Sequence, residues 1–129
     1  MLIKHNPDTL SNANISYSHG IEVPANARLM CLSGQIALAK DGSIPSGIDN
    51  QSRLIFENIK SILISGNMTL NDLVRLNIYI TNQDDMAGFR VVRDQYVGKI
   101  RCASTMVVVA GLANPEFLIE IEAMAAKID

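Results

Sequence analysis

Two glutamates near the end of the chain are the side chains best suited to do chemistry. Glu120 and Glu122 lie in the apolar segment Phe117–Ala125, and the two-residue period of a β-strand puts both carboxylates on one face, about 7 Å apart. A carboxylate in such a place can act as a general base or hold a water molecule, and we predict that role for Glu120. The alternative, which we keep open above all for Glu122, is a rim position paired with Arg75 or Arg101.

A second candidate is the segment Ser33-Gly34-Gln35, which follows a short apolar strand. Glycine at a strand end usually marks a bulge, but it also lets a backbone N–H approach a ligand closely. Tyr17 lies in a polar stretch, and on its own it indicates only a half-buried aromatic side chain. Both features need further residues beside them before they predict a site.

No motif in the chain predicts a metal or a cofactor. The histidines His5 and His19 and the cysteines Cys31 and Cys102 do not have the spacing of a metal site. The chain contains neither a glycine-rich phosphate loop nor a Gly-x-Ser-x-Gly segment. We therefore expect no metal and no cofactor, and we expect both cysteines to be buried, reduced thiols.

Length and charge argue against several classes of protein. The chain has 129 residues, which suits a single domain spanning residues 1–129. Its net charge of −2 is unlike the basic surplus of nucleic-acid binders. The longest apolar run, Met106–Leu112, is too short to span a membrane, and the first residues lack the layout of a signal peptide. We expect a cytoplasmic protein without nucleic-acid or membrane partners.

The hydrophobic periodicity predicts an α+β domain in the order β-β-α-β-α-β-β, with two helices on one face of a mixed sheet of about five or six strands. After about 14 irregular residues, the predicted elements are a hairpin of Ile15–Val23 and Arg28–Ser33, a helix from Asp49 or Asn50 to Gly66, the strand Leu73–Ile80, a helix from Asp84 to Gly98, and the strands Ala103–Ala110 and Phe117–Ala125. We expect Gly66 to be the left-handed residue that ends the first helix.

The predicted sheet has a second face that the two helices do not cover. The strand residues Thr105–Val109 are apolar on both faces, whereas an antiparallel strand with one wet face alternates apolar and polar residues. The chain offers no further element to cover the second face. Self-association through this face is therefore the expected solution.

Taken together, these segments resemble the Rid superfamily, also called the YjgF/YER057c/UK114 family, from about Tyr17 to Ala125. The matching features are Tyr17 with Gly20, Leu32-Ser33-Gly34-Gln35-Ile36, Gln51 with Asn58, Gly66 with Asp72-Leu73-Val74, Tyr79-Ile80, Phe89, Tyr96, and Ile119-Glu120-Ile121-Glu122-Ala123-Met124-Ala125. The Ser-Gly-Gln and Ile-Glu-Ile-Glu-Ala segments, in this order, are fairly specific as a pair.

The resemblance implies a chorismate-mutase-like α+β fold assembled as a homotrimer, with ligand clefts between subunits. In deaminase members these clefts hydrolyse reactive 2-imino or enamine acids to keto acids and ammonia, without a metal or cofactor. Carried over to this chain, Ser33 and Gly34 supply the backbone N–H segment. Glu120 and the carbonyl of Met106 position the water, and Tyr17 closes the pocket.

One departure from the family affects catalysis. In the last strand but one, the deaminase members have the segment Pro-Ala-Arg-Ser, and its arginine binds the substrate carboxylate. Ser104 stands at the position of that arginine here. A hydroxyl offers one donor and no charge, so it does not replace a bidentate guanidinium. Arg93, where deaminase members often have asparagine, or Arg101 could bind the anion. Arg101 is an odd number of residues from Ser104, so on a regular strand it points to the other face.

The sequence leaves three functions open. The first is an imine or enamine deaminase with an altered substrate preference, in which the partner is an imino or keto acid. The second is a trimer that binds a small metabolite without catalysis. The third, a ribonuclease or translation inhibitor, is disfavoured by the net charge of −2 and by the lack of a basic, aromatic surface.

Overall fold

Two α-helices lie on one face of a four-stranded mixed sheet in the computed structural model, which describes residues 1–129. The strands are β1 (Ile3–His5), β2 (Gly20–Glu22), β3 (Arg28–Ile36), β4 (Leu73–Ile80), β5 (Ala103–Val108) and β6 (Ile119–Lys127), and the helices are α1 (Ile48–Ser65) and α2 (Met86–Val97). The predicted fold class and the predicted order of elements are confirmed, with one additional short strand, β1, at the start of the chain.

The main sheet has the strand order β3-β6-β4-β5. Strand β6 is antiparallel to both of its neighbours, whereas β4 and β5 are parallel. A parallel pair needs a crossover connection, and α2 supplies it. Strands β3 and β5 are therefore the two edges of the sheet.

The predicted N-terminal hairpin is wrong in its pairing. Strand β2 pairs with β1 rather than with β3, so the main sheet has four strands instead of five or six. The N-terminal segment instead contacts the chain just before β5, where Lys4 donates a hydrogen bond to the carbonyl of Ile100. Alternation in the sequence indicates a strand, but such long-range contacts decide which strand it pairs with.

The ends of α1 differ in detail from the prediction. The helix begins after Gly47, which has a φ of 84°, so neither Asp49 nor Asn50 is its cap. At the other end, Gly66 has a φ of −104° and Asn67 is the left-handed residue, with a φ of 58°. A side chain at Gly66 would collide with Met30, since its Cβ would lie 2.1 Å from the Met30 methyl carbon. The expectation that Gly66 is the left-handed residue is therefore wrong, and Met30 of β3 packs closely against this glycine.

The hydrophobic core lies between the helices and one face of the sheet. Its fully buried members include Ile55, Phe56, Ile59 and Leu63 from α1, Phe89 and Val92 from α2, and Leu76, Ile78, Ile80, Ile119 and Ile121 from the sheet. Phe56 stacks on Phe89 and on Tyr96, with ring centroids 6.2 Å and 5.1 Å apart. Each large side chain buried here stabilises the fold by about 1.5–3 kcal/mol.

The opposite face of the sheet, which we call the open face, has no helix on it. Its centre is polar rather than apolar, and its members are Arg75, Asn77 and Tyr79 from β4, Thr105 and Val107 from β5, and Glu120, Glu122 and Met124 from β6. Val107 remains 43% exposed and its neighbour Val108 is 50% exposed. The uncovered face that the sequence predicts is thus present.

No helix in the chain has the length and hydrophobicity needed to cross a membrane.

Candidate functional site

The Glu120 carboxylate lies directly over the backbone of Gly34. Glu120 is opposite Tyr79 on β4 and Ile36 on β3, and the register of β3 shifts between Leu32 and Gln35. A Cβ on Gly34 would lie 2.0 Å from Oε2 of Glu120, so glycine is required for this contact. Gly34 therefore lies within the irregularity of β3, as a bulge would require, and the group that approaches it closely is the Glu120 carboxylate.

Glu122, on the same face, has a different partner from the one considered in the sequence. It accepts a hydrogen bond of 2.5 Å from the Tyr79 hydroxyl, and this bond, with loss of solvation, raises the pKa of Tyr79. Arg75 donates instead to Asn77 and Thr105, at 2.8 and 2.6 Å. The alternative pairing of Glu122 with an arginine is wrong, because Glu122 accepts a hydrogen bond from Tyr79 and forms no ion pair.

The Glu120 carboxylate, by contrast, forms no ion pair within the chain. It is half-buried beside the polar centre of the open face. Both of its oxygens are acceptors when it is ionised. A carboxylate of this kind, fixed over a glycine and without a cation, can hold a water molecule and accept a proton from it.

Ser104 and Met106 lie on edge strand β5, where they are opposite Leu76 and Ile78 of β4. Those two residues belong to the core, so the side chains of Ser104 and Met106 point to the helix side of the sheet. Glu120 points to the open face. In a single chain Ser104, the position of the missing arginine, and the Glu120 carboxylate are thus on opposite faces of the sheet.

Tyr17 lies beside the start of β5, because its neighbour Ser18 is hydrogen-bonded to the residues just before that strand. The Ser18 N–H donates to the carbonyl of Cys102 at 3.1 Å, and its hydroxyl donates to the carbonyl of Arg101 at 2.5 Å. The Tyr17 ring meets His19 edge-on, with centroids 5.5 Å apart. Tyr17 and Ser104 therefore belong to the same edge of the molecule.

Arg93 lies on α2 with a side chain that is only 16% exposed, and it pairs with Asp94 at 3.0 Å. Its charge also reaches the thiol of Cys102. Burial raises the pKa of that thiol to about 11, and Arg93 is one of the cations that oppose the rise. Arg93 lies about one helical turn before Val97, whose carbonyl accepts the Arg101 N–H at 3.3 Å, so this part of α2 leads to the start of β5. Cys31 is exposed, which corrects the prediction that both thiols are buried.

The predicted site residues therefore form two groups in one chain. A central group on β3 and β6 contains Ser33, Gly34 and Glu120; an edge group beside β5 contains Tyr17, Arg93 and Ser104, with Met106 on the same strand. Strand β4 separates β6 from β5, which places the two strands about 10 Å apart. None of the cavities on the single chain is lined by any of these residues.

Sequence reasoning missed one contact and one backbone conformation near these groups. Tyr79 shares a face with Arg75 and Asn77 by simple alternation, and this signal could have predicted its contact with Glu122. Arg101 has a left-handed backbone, with a φ of 57°, and nothing in its sequence neighbourhood indicates this. No three side chains of histidine, cysteine, aspartate or glutamate lie close enough together to hold a metal ion.

Comparison with known proteins gives consistent matches. The family described as Endoribonuclease L-PSP matches residues 8–127. A RutC family protein of Pyrococcus horikoshii is 35% identical, with 86% of each chain covered. The structure of YyfB, a Rid protein of Yersinia pestis, has a TM-score of 0.84 at 29% identity, over 98% of each chain.

A further similar structure contains a small molecule. It is TdcF of Escherichia coli with bound serine, with a TM-score of 0.70 at 28% identity, covering 86% of this chain and 87% of that one. The name of TdcF describes it as a reactive intermediate deaminase. TdcF also matches this chain in sequence, with 28% identity over 86% of each chain.

Proposed function

The chain belongs to the Endoribonuclease L-PSP family, the Rid family of the resemblance above, and on that premise we propose that it binds a small metabolite in clefts between identical subunits and hydrolyses enamine or imine intermediates. In this reaction water adds to the carbon of a C=N bond, the carbon–nitrogen bond breaks, and a keto acid and ammonia leave. An enamine first takes a proton at carbon to become the imine. We also propose a cytoplasmic location.

The observation that carries this proposal is the Glu120 carboxylate over Gly34, without a cation. A carboxylate in this position can take the proton of the attacking water as it adds to the imine carbon. The Met106 carbonyl would accept the second hydrogen bond of that water. The relative TdcF, a reactive intermediate deaminase by name, supports the choice of reaction.

We further propose that the protein is a homotrimer and that each cleft takes its residues from two subunits. The open face supports this, since it lacks a covering layer and exposes Val107 at the β5 edge. The separation of the central group from the edge group supports it too. Ser33, Gly34 and Glu120 of one subunit would face Tyr17, Ser104 and Arg93 of the next.

Serine at position 104 supports an altered substrate preference. Ser104 can donate one hydrogen bond to an anion, but it brings no charge. Small 2-imino acids, whose carboxylate is next to the reacting carbon, should therefore bind less well than in the arginine-containing deaminases. Arg93 adds positive potential at this edge, although Asp94 partly offsets it.

A trimer that binds a metabolite without turning it over is the second candidate. The observation that favours it is the same serine, because a cleft that lacks its cation could still bind a neutral or amphoteric ligand. The structure of TdcF with serine is an example of small-molecule binding in a relative.

The test is keto acid release from an imine that an amino-acid oxidase generates in the assay, corrected for spontaneous hydrolysis. Wild-type protein should accelerate release, and Glu120→Gln should lose about 10²- to 10⁴-fold of that acceleration, the range for a general base. Sedimentation should show both proteins as trimers. Glu116→Gln, an exposed loop glutamate, is the matched control and should change nothing.

The outcomes separate the two candidates. Equal acceleration by wild type and Glu120→Gln would show that Glu120 is not the base. Binding of a keto or amino acid without any acceleration would identify the protein as a binding trimer. A stable monomer of about 14 kDa at micromolar concentration would contradict the shared cleft.

A further inference from the structure

Arg101 lies outside the strand whose alternation would fix the direction of its side chain. Strand β5 begins at Ala103, so Arg101 lies ahead of the regular strand. Its left-handed backbone, with a φ of 57°, is uncommon for a non-glycine residue and is not the conformation of a strand. The expectation that Arg101 faces away from Ser104 assumes a regular strand and does not apply, because the alternation of β5 does not extend to Arg101.

The Arg101 side chain folds back onto the segment that carries Tyr17. Its Nη2 donates to the carbonyl of Ile15 at 2.5 Å, and its own carbonyl accepts the Ser18 hydroxyl at 2.5 Å. Tyr17 lies between these two attachment points. Because one hydrogen bond already orients the guanidinium, less side-chain freedom would be lost when Arg101 binds an anion.

Arg101 also has no carboxylate partner, unlike several other arginines. Arg28 pairs with Asp129 and Arg93 pairs with Asp94. Arg75 is half-buried and donates to two side chains of the open face. Arg101 uses one N–H on a backbone carbonyl and is exposed, so its other donors are free to bind an anion.

We infer that Arg101 recognises a carboxylate of the substrate, and that this carboxylate is distal to the imine. The inference rests on the proposed function. Arg101 precedes Ser104 by three residues, a chain segment that spans at most about 10 Å, so an anion on Arg101 lies farther along the chain from Met106 than one at position 104. A dicarboxylic imine such as 2-iminoglutarate offers the two anions that this assignment needs, the proximal one for Ser104 and the distal one for the Arg101 side chain. A 2-imino acid without a second carboxylate does not reach Arg101.

The kinetic test compares 2-iminoglutarate with 2-iminopropionate. In Arg101→Gln, the KM for 2-iminoglutarate should rise about 10- to 100-fold, the value of one charge-assisted hydrogen bond, with little change in kcat. Both parameters for 2-iminopropionate should stay the same, and Arg101→Lys should restore part of the affinity. Arg90→Gln, an exposed arginine of α2, is the control. An equal loss on both substrates, or no loss, would overturn the inference.

A binding measurement tests the inference even if neither imine is turned over. Wild-type protein should bind 2-oxoglutarate, the dicarboxylic product, at least tenfold more tightly than pyruvate, and Arg101→Gln should abolish that difference. Absence of turnover with this selectivity intact would defeat the proposed reaction but not the role of Arg101. Equal affinity of wild type for the two keto acids would defeat the role of Arg101.

Discussion

Strand β6 presents two different surfaces on its two sides. The side that faces the helices consists of Ile119, Ile121, Ala123 and Ala125, each at most 3% exposed. The side on the open face consists of Glu120, Glu122 and Met124, all half-buried. Residues next to each other in sequence thus belong to different environments. This difference indicates that one side of the strand stabilises the fold and the other is available for chemistry.

The largest expected effect of a substitution on the helix side is on stability. Ile121→Ala should lower the free energy of unfolding by about 2–5 kcal/mol, through lost burial and the cavity that remains. Denaturant unfolding at fixed protein concentration measures it. Glu120→Gln, on the other side of the same strand, should change stability by less than about 1 kcal/mol. Similar stability losses in the two variants would mean that the two sides are not separate.

A substitution on the open face should act on activity with the fold intact. In Gly34→Ala the new Cβ would lie 2.0 Å from Oε2 of Glu120, so the carboxylate must move. A displacement of about 1 Å in a catalytic group can cost about 100-fold in rate, and keto acid release should fall by that order. Gly111→Ala, where the new Cβ would meet nothing within 4 Å, is the matched control. Full activity in Gly34→Ala would show that the position of Glu120 does not matter.

A substitution at the β5 edge should increase activity, by no more than the loss expected for Gly34→Ala. Ser104→Arg should raise turnover of 2-iminopropionate by about 10- to 100-fold, since a charge-assisted hydrogen bond to its carboxylate is worth roughly 1.5–3 kcal/mol. Ser104 is half-buried, and an arginine without a counter-ion there can destabilise the assembly. Sedimentation must therefore accompany the assay. Efficient turnover of 2-iminopropionate by wild type would show that the missing arginine is not the limiting feature.

The sequence was informative where regular periods decide the structure. Alternation in Leu73–Ile80 and Phe117–Ala125 and the helical spacing of Ile55 and Ile59 predict the layers, the uncovered face and the shared face of Glu120 and Glu122. The sequence also allowed a bulge at Gly34, and the register of β3 shifts there. These features depend on local geometry, which the sequence states directly.

The features that were missed depend on contacts between distant segments or on irregular backbone. Pairing of β2 with β1, the bond from Tyr79 to Glu122 and the left-handed turn at Arg101 are examples. A register shift in β4 also turns Leu73 into the core, against simple alternation. A period of two breaks at such irregularities, so the orientation of Arg101 could not be inferred by counting from Ser104.

The most direct test of the composite cleft is a subunit-mixing experiment with two impaired variants. Glu120→Gln lacks the base of the central group and Arg101→Gln lacks the anion donor of the edge group. The assay uses 2-iminoglutarate far below its KM, where the raised KM of Arg101→Gln shows as lost activity. If each cleft joins the two groups from different subunits, trimers unfolded and refolded together at equal amounts should regain about a quarter of wild-type activity, because about one interface in four then combines two intact halves. Activity of the mixture no higher than the mean of the two separate variants would contradict a cleft shared between subunits.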